Sequence, residues 1–293
     1  MTRKTDTQTR KQQIAFVTGA TSGLGKAVAE KLATQGYLVY GAARRIPGSI
    51  QDVVSTGPAP VHSNEDTKGH IRYLSVDVQD ESSLQVAVHT IVAESGGIDV
   101  LVACAGMGIA GPVEDTDMSE IEHQMDVNFL GTVRTVKACL STMRVQRFGK
   151  IIVIGSIAGR IGMPFQAFYA ASKFALEGFV ESLRHEVRRF GIEVCIIEPG
   201  DFKTGFTGAR KKVNRADSVY TSAFERVIAI QEHDEQHGSD PKKAASVIAG
   251  LLARRHLPAR RSVGKLFQRA AAFLKRIIPY AWFETFYRVY YKV

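Results

Sequence analysis

Three side chains in this sequence form a set that could move a proton. In the stretch "FYAASKFALEGF", Tyr169 precedes Lys173 by four residues, with only small residues between them. Residues at i and i+4 share a helix face, so the ammonium can lie beside the phenol. Tyrosine ordinarily ionises near pH ~10, and a fixed neighbouring cation stabilises the phenolate and lowers that value. Ser156 ends the apolar run "KIIVIGS" 13 residues before the tyrosine and could orient a substrate oxygen against the phenol. Such a trio suits acid/base work at a carbonyl or an alcohol. A lone Y-x-x-x-K pair recurs by chance in helices, and Tyr169 could equally be a core aromatic, so the neighbouring motifs decide.

The first of these is "VTGATSGLG", which puts Thr18, Gly19, Ser22, Gly23, Leu24 and Gly25 where an apolar run gives way to a helical pattern. Glycines at such a junction allow a tight turn and close approach of a pyrophosphate to N–H groups at the positive end of a helix. After the second apolar run the chain has Ala43, Arg44 and Arg45 where a ribose-binding acid would otherwise stand. A guanidinium can grip a 2′-phosphate that a carboxylate would repel, which favours NADP(H) over NAD(H). The alternative is a solvated strand end. Asp77, with Val78 beside it, closes "LSVDV" and is placed either to meet an adenine amino group or to start a helix.

The elements that must position these residues are legible as apolar runs bounded by turns. They begin at Ile14, Leu38, Ile71, Ile98, Lys150 and Glu193, and runs this continuous suit strands buried on both faces. Segments of helical spacing lie between them, two of which stop at Gly36 and Gly191. The alternation predicts an α/β fold: a doubly wound, Rossmann-type parallel sheet with helices on both faces. One domain is expected over 14–261, preceded by a disordered basic arm over 1–13 and followed by an amphipathic, aromatic-rich extension over 262–293. The stretch from Pro47 to Gly69 reads as a surface loop.

The net charge of +9 is uneven: from Pro241 onward 12 Lys/Arg face one acid, Glu284. A basic balance confined to one end points to a local anionic partner such as a phospholipid surface, or simply to a solvated face. Cys104, Cys139 and Cys195 show no metal or disulfide spacing, so no metal site is expected and a reducing, cytoplasmic setting is.

T-G-x-x-x-G-x-G at Thr18 to Gly25, the spacing of Ser156, Tyr169 and Lys173, "VN" at Val127 and Asn128, and "PGDFKT" from Pro199 together resemble the short-chain dehydrogenase/reductase family. The resemblance runs from about Ile14 to Thr204. It implies that Asn128 is a fourth catalytic residue, holding a water in a relay to Lys173, and that Lys173 contacts the nicotinamide ribose. Thr204 would contact the carboxamide, with Gly106, Pro199 and Gly200 lining the cofactor and Tyr169 beside it. In place of that family's N-N-A-G, this chain has Ala103, Cys104, Ala105 and Gly106, a departure that would weaken cofactor binding. Cys104 reads as a small buried filler.

Loops past the strand ends carry Met107, Ile109, Ile161, Met163, Phe165, Phe202 and Phe206, an apolar rim that suits a lipophilic substrate or packs the loops together. In the tail, apolar residues at 266, 270, 273, 274 and 277, then at 282, 286, 289 and 293, each fit one helix face, with a break at Pro279. Three roles stand open for it: a peripheral membrane contact, a pocket lid or a dimer contact. The pattern is similar to the hydroxysteroid and retinol dehydrogenase branch. The expectation is an NADP(H)-dependent oxidoreductase interconverting a carbonyl and an alcohol on an apolar steroid-, retinoid- or lipid-like molecule, working as a homodimer or homotetramer. The alternative is a non-catalytic dinucleotide sensor or membrane scaffold on the same fold. No nucleic-acid partner is expected, since no reading motif accompanies the basic tail.

Overall fold

The computed structural model describes residues 12–46, 69–213, 217–275 and 277–292. The expected arm and the loop after the second strand fall outside these residues, except for their last one or two positions, as do Arg276 and Val293.

The first half of the chain alternates β1 (Ile14–Thr18), α1 (Gly23–Thr34), β2 (Leu38–Ala43), β3 (Ile71–Ser75), α2 (Glu81–Ser95) and β4 (Val100–Ala103). Then come β5 (Ile109–Ala110), α3 (Met118–Met125), α4 (Gly131–Gln146), β6 (Gly149–Ile154), α5 (Ala167–Val187) and β7 (Ile192–Pro199). The rest comprises α6 (Phe206–Ala209), β8 (Lys211–Lys212), α7 (Thr221–Gln236), α8 (Pro241–Leu252), β9 (Arg260–Val263), α9 (Leu266–Leu274) and α10 (Tyr280–Tyr291). Seven strands form one sheet in the order β3-β2-β1-β4-β6-β7-β9, every neighbouring pair parallel. Strand order reverses between β1 and β4, and a sheet of this kind leaves its ligand crevice at that point.

The apolar runs are continuous because both sheet faces are covered. Along β1, Ala15 and Val17 pack with α1 and α8, whereas Ile14 and Phe16 pack with α2, α4 and α5. Asp80 caps α2 by accepting from the Ser82 N–H at 2.9 Å, and Gly36 and Gly191 take positive φ just past their helices. Between α3 and α4 a π-helical turn over Asp126–Leu130 displaces the helix axis and carries Asn128 inward.

The seventh strand, β9, was not expected, and it crosses the boundary predicted at 261. Its Arg260 and Ser262 are polar because they serve Glu198, which is 1% exposed on β7. The Ser262 hydroxyl donates to Glu198 at 2.5 Å, Arg160 pairs with it at 3.1 Å, and Arg260 stands 3.4 Å from Glu177 on α5. Burial, reinforced by the Glu198 charge, pushes the Glu177 carboxyl up to about 7. Beyond β9, the chain breaks at Pro279 as expected. Ala272 and Phe283 bury against Ile161, while the described members of the apolar series read from the sequence face outward, with Phe273 63% and Trp282 72% exposed.

Candidate active site

A cavity of about 590 Å³ lies past the C-terminal ends of the central strands. Its floor at one end is the glycine loop, with Gly19, Ser22, Gly23, Leu24 and Gly25 on the wall. Gly19 has φ +68, and a Cβ there would stand 3.1 Å from the Ala105 backbone; a side chain at Gly25 would run into the Gly19 carbonyl oxygen. Ser22 precedes α1 without capping it by its side chain, and no acid stands in the first turn, so the positive helix end faces the cavity without a side-chain partner. These features fit a pyrophosphate. Arg44, exposed at the end of β2, lines the same cavity. Gly106, Pro199, Gly200 and Thr204 complete this wall, with Thr204 about one van der Waals contact from the Gly23 position.

Four residues expected at the cofactor are not part of the cavity wall. Thr18 is 1% exposed, and its hydroxyl accepts from the N–H groups of Cys104 at 3.0 Å and Ala105 at 3.2 Å, fastening β1 to the chain leaving β4. Asp77 turns its carboxylate to the Gln79 N–H at 3.0 Å, the turn role that the sequence left open. Val78 is buried, packed where a side chain at Gly131 would stand, and Arg45 is exposed off the cavity wall. Cys104 lines the cavity as a filler, its thiol pushed by burial up to about 11.

Ser156, Tyr169 and Lys173 meet in this cavity. The turn after β6 presents the serine, whose hydroxyl accepts from the Ala158 N–H at 3.0 Å. One face of α5 presents the other two. The Lys173 ammonium donates to the Ile154 carbonyl at 3.0 Å. Burial pushes Tyr169 up to about 12 against the hydrogen bond from Ser156, with the Glu235 charge adding to burial. It also lowers Lys173 to about 8. In this geometry the ammonium is turned to a main-chain oxygen, and desolvation of the phenolate is the largest influence on the phenol. Asn128 is fully buried behind them. Its side-chain oxygen accepts from the Met107 N–H at 2.8 Å, and its amide donates to the Met107 carbonyl at 2.9 Å and to Ser172 at 3.2 Å. A Cβ at Gly106 would stand 3.3 Å from that oxygen, a tight contact, and 3.9 Å from the Lys173 nitrogen.

On the opposite side, Met107, Ile161, Met163, Phe202 and Phe206 line the cavity, and the Phe206 ring lies 5.8 Å from that of Tyr169. Ile109 and Phe165 do not: Ile109 is buried in β5, and Phe165 packs edge-on against Phe224 at 5.6 Å. The remaining wall comes from the tail, in the lid role that the sequence left open, and from carboxylates that sequence reasoning missed. Phe267, Phe286, Tyr287 and Tyr290 close it from α9 and α10, and Asp201, Asp234 and Glu235 bring carboxylates to it. Glu235 pairs with the buried Arg210 and accepts from Thr207 at 2.6 Å; Asp234 accepts from Tyr290 at 2.6 Å; Asp201 accepts from Gln268. Burial, then the charges of Glu235 and Asp234, push Asp201 up to about 6. Asp201 lies inside "PGDFKT" and could have been weighed there, whereas the acids of "QEHDEQ" on α7 read as an ordinary solvated helix end.

Residues 13–215 match the short chain dehydrogenase family. A 3-ketodihydrosphingosine reductase of Bacteroides thetaiotaomicron is 40% identical over 283 residues, covering 96% of this chain and 98% of that protein. The 17-beta-hydroxysteroid dehydrogenase type 1 of Mus musculus is 33% identical over 244 residues, 80% of this chain and 68% of that one. Among solved structures, a short-chain dehydrogenase from Streptomyces avermitilis superposes with a TM-score of 0.76 at 28% identity, over 91% of this chain and 93% of that one.

Proposed function

Because the chain belongs to the short-chain dehydrogenase family, oxidoreductases whose fold binds a nicotinamide dinucleotide, we propose that it is an NADP(H)-dependent reductase of a long-chain amino ketone. The observation that carries this reading is the make-up of one cavity: Ser156, Tyr169 and Lys173 at its centre, aromatic rings of α9 and α10 on one wall, and Asp201, Asp234 and Glu235 among them. Among the described residues these three carboxylates have one guanidinium partner, Arg210, with the Lys265 charge near Asp201, and a steroid or retinoid would add no cation to them. An amino ketone would, and 3-ketodihydrosphingosine, the compound in the name of the relative above, joins an amine and a ketone to a long alkyl chain.

The glycine loop and Arg44 would hold the dinucleotide, which when bound supplies a hydride to the carbonyl carbon. Ser156 orients the carbonyl oxygen, and Tyr169 gives it a proton. A phenol pushed up to about 12 stays protonated at neutral pH, which is the form needed for reduction. The Lys173 ammonium stands 5.8 Å from the Tyr169 ring centre, and Asn128 holds Met107 and Ser172 in place around them. By the family resemblance the working unit is a homodimer or homotetramer; the cysteine pattern supports a cytoplasmic setting, and the basic, aromatic-rich tail a peripheral place at a membrane. The test is NADPH oxidation by the purified protein with 3-ketodihydrosphingosine, retinal and a ketosteroid in parallel. Reduction confined to the amino ketone supports the reading, and equal or better reduction of the neutral substrates overturns it.

A further inference from the structure

Ten of the nineteen large apolar side chains that stand exposed among the described residues fall between Leu266 and Tyr290. Leu266, Phe273, Ile277, Tyr280, Trp282 and Val289 are each more than 55% exposed. Soluble surfaces rarely gather so many on one short segment unless something covers them. The two helices, of 9 and 12 residues, are too short to cross a bilayer, and none of the described helices is long and apolar enough to do so. Their length and composition suit a position in the plane of an interface, where tryptophan and tyrosine rings favour the headgroup level.

The same segment is basic: 262–293 carries six Lys/Arg against Glu284, and Lys265, Arg288 and Lys292 are exposed. That charge decides between occupants. A second copy meeting this face about a two-fold axis would set the two basic segments against each other with one acid apiece. An anionic lipid surface is complementary to both the apolar and the basic parts. The face is also continuous with the cavity, since Phe267 and Phe286, 58% and 45% exposed with ring centres 6.3 Å apart, belong to its wall.

We propose that α9 and α10 rest on an anionic bilayer and that the lipid substrate passes from it into the cavity beside Phe267 and Phe286. The docking half stands on the surface alone; the passage half rests on the reading of a long-chain substrate. The protein carries its own probe, because Trp282 is the one tryptophan in the chain. Full-length protein is mixed with phosphatidylcholine vesicles with and without phosphatidylserine, and co-sedimentation and Trp282 emission are read. Expected are co-sedimentation and a blue shift with the anionic vesicles, reversed by salt, and at least a tenfold loss of both in R288E/V289E. Neither residue lines the cavity, so this variant keeps wild-type turnover of a short, water-soluble amino ketone while losing turnover of the long-chain one embedded in vesicles. Unshifted emission in the wild type, or vesicle binding unchanged in the variant, overturns the docking. Conversion by the variant of a dimer to a monomer, with vesicle binding unaltered, overturns it in favour of a second copy. Wild-type vesicle binding with no turnover of either ketone leaves the docking standing and fails the substrate reading alone.

Discussion

The ammonium of Lys173 stands 5.8 Å from the centre of the Tyr169 ring, over the ring and turned to the Ile154 carbonyl. The lysine thus offers the phenol a nearby positive charge without taking its proton. Because burial lowers Lys173 to about 8, this charge is present at neutral pH and fades above it. The reductive kcat/KM should fall as pH rises through about 8, and Lys173→Met should flatten that limb while lowering the rate about 10²- to 10⁴-fold. Tyr169→Phe should lose turnover altogether and keep NADPH binding. Both are checked by steady-state assays across pH together with calorimetric cofactor titration.

Arg44 is the one basic side chain at the end of β2 that reaches the cavity wall, Arg45 being off it. Arg44→Asp should weaken NADPH binding by roughly 1.5–3 kcal/mol, about ten- to 150-fold, and leave NADH nearly untouched. Equal weakening of both cofactors in calorimetry would remove the arginine from phosphate recognition.

Asp201 tests the amino-ketone reading directly. Its carboxyl, pushed up to about 6, becomes a full anion only above that value, so KM for an ammonium-bearing ketone should fall as pH rises through about 6. Asp201→Asn should raise that KM about ten- to a hundredfold and abolish the dependence, with little change for a neutral ketone of equal length.

Glu177 faces Glu198 in the buried network that ties β9 to α5. A carboxyl held at about 7 in the fold, above its ordinary 4.5, contributes stability that is fully present below about 4.5 and is lost as pH rises through about 7. Asp201 acts in the same sense over a lower window. Glu177→Gln, which stays neutral throughout, should therefore lose less stability than the wild type between about pH 5 and about pH 8 in urea unfolding.

What could be read in advance follows from how local each signal is. Six strands are legible because burial on both faces demands unbroken apolar runs, as in "KIIVIGS". The strand Arg260–Val263 is not, because its side chains answer to Glu198, more than 60 residues away in sequence. The meeting of Ser156, Tyr169 and Lys173 is legible from spacing along one strand end and one helix. The side chains of Thr18 and Asp77 are harder to read for the converse reason: a hydroxyl or carboxylate at a strand end can serve a ligand, the backbone or both, and here each also accepts from a nearby backbone N–H. The carboxylates of α7 take their place from contacts distant in sequence, Glu235 from Thr207 and Arg210 and Asp234 from Tyr290 on α10.

The wall that α9 and α10 provide is reached through the edge of the sheet. Gly200 donates to the Val263 carbonyl at 2.9 Å, and the next N–H, that of Asp201, donates to Gln268 at 3.1 Å. Cavity wall and outermost strand are one continuous, mutually bonded piece. On heating, inactivation and loss of sheet structure should therefore share a single midpoint, and a protease that releases the last thirty or so residues should leave the sheet in place but strip α9 and α10 from the cavity wall, removing activity.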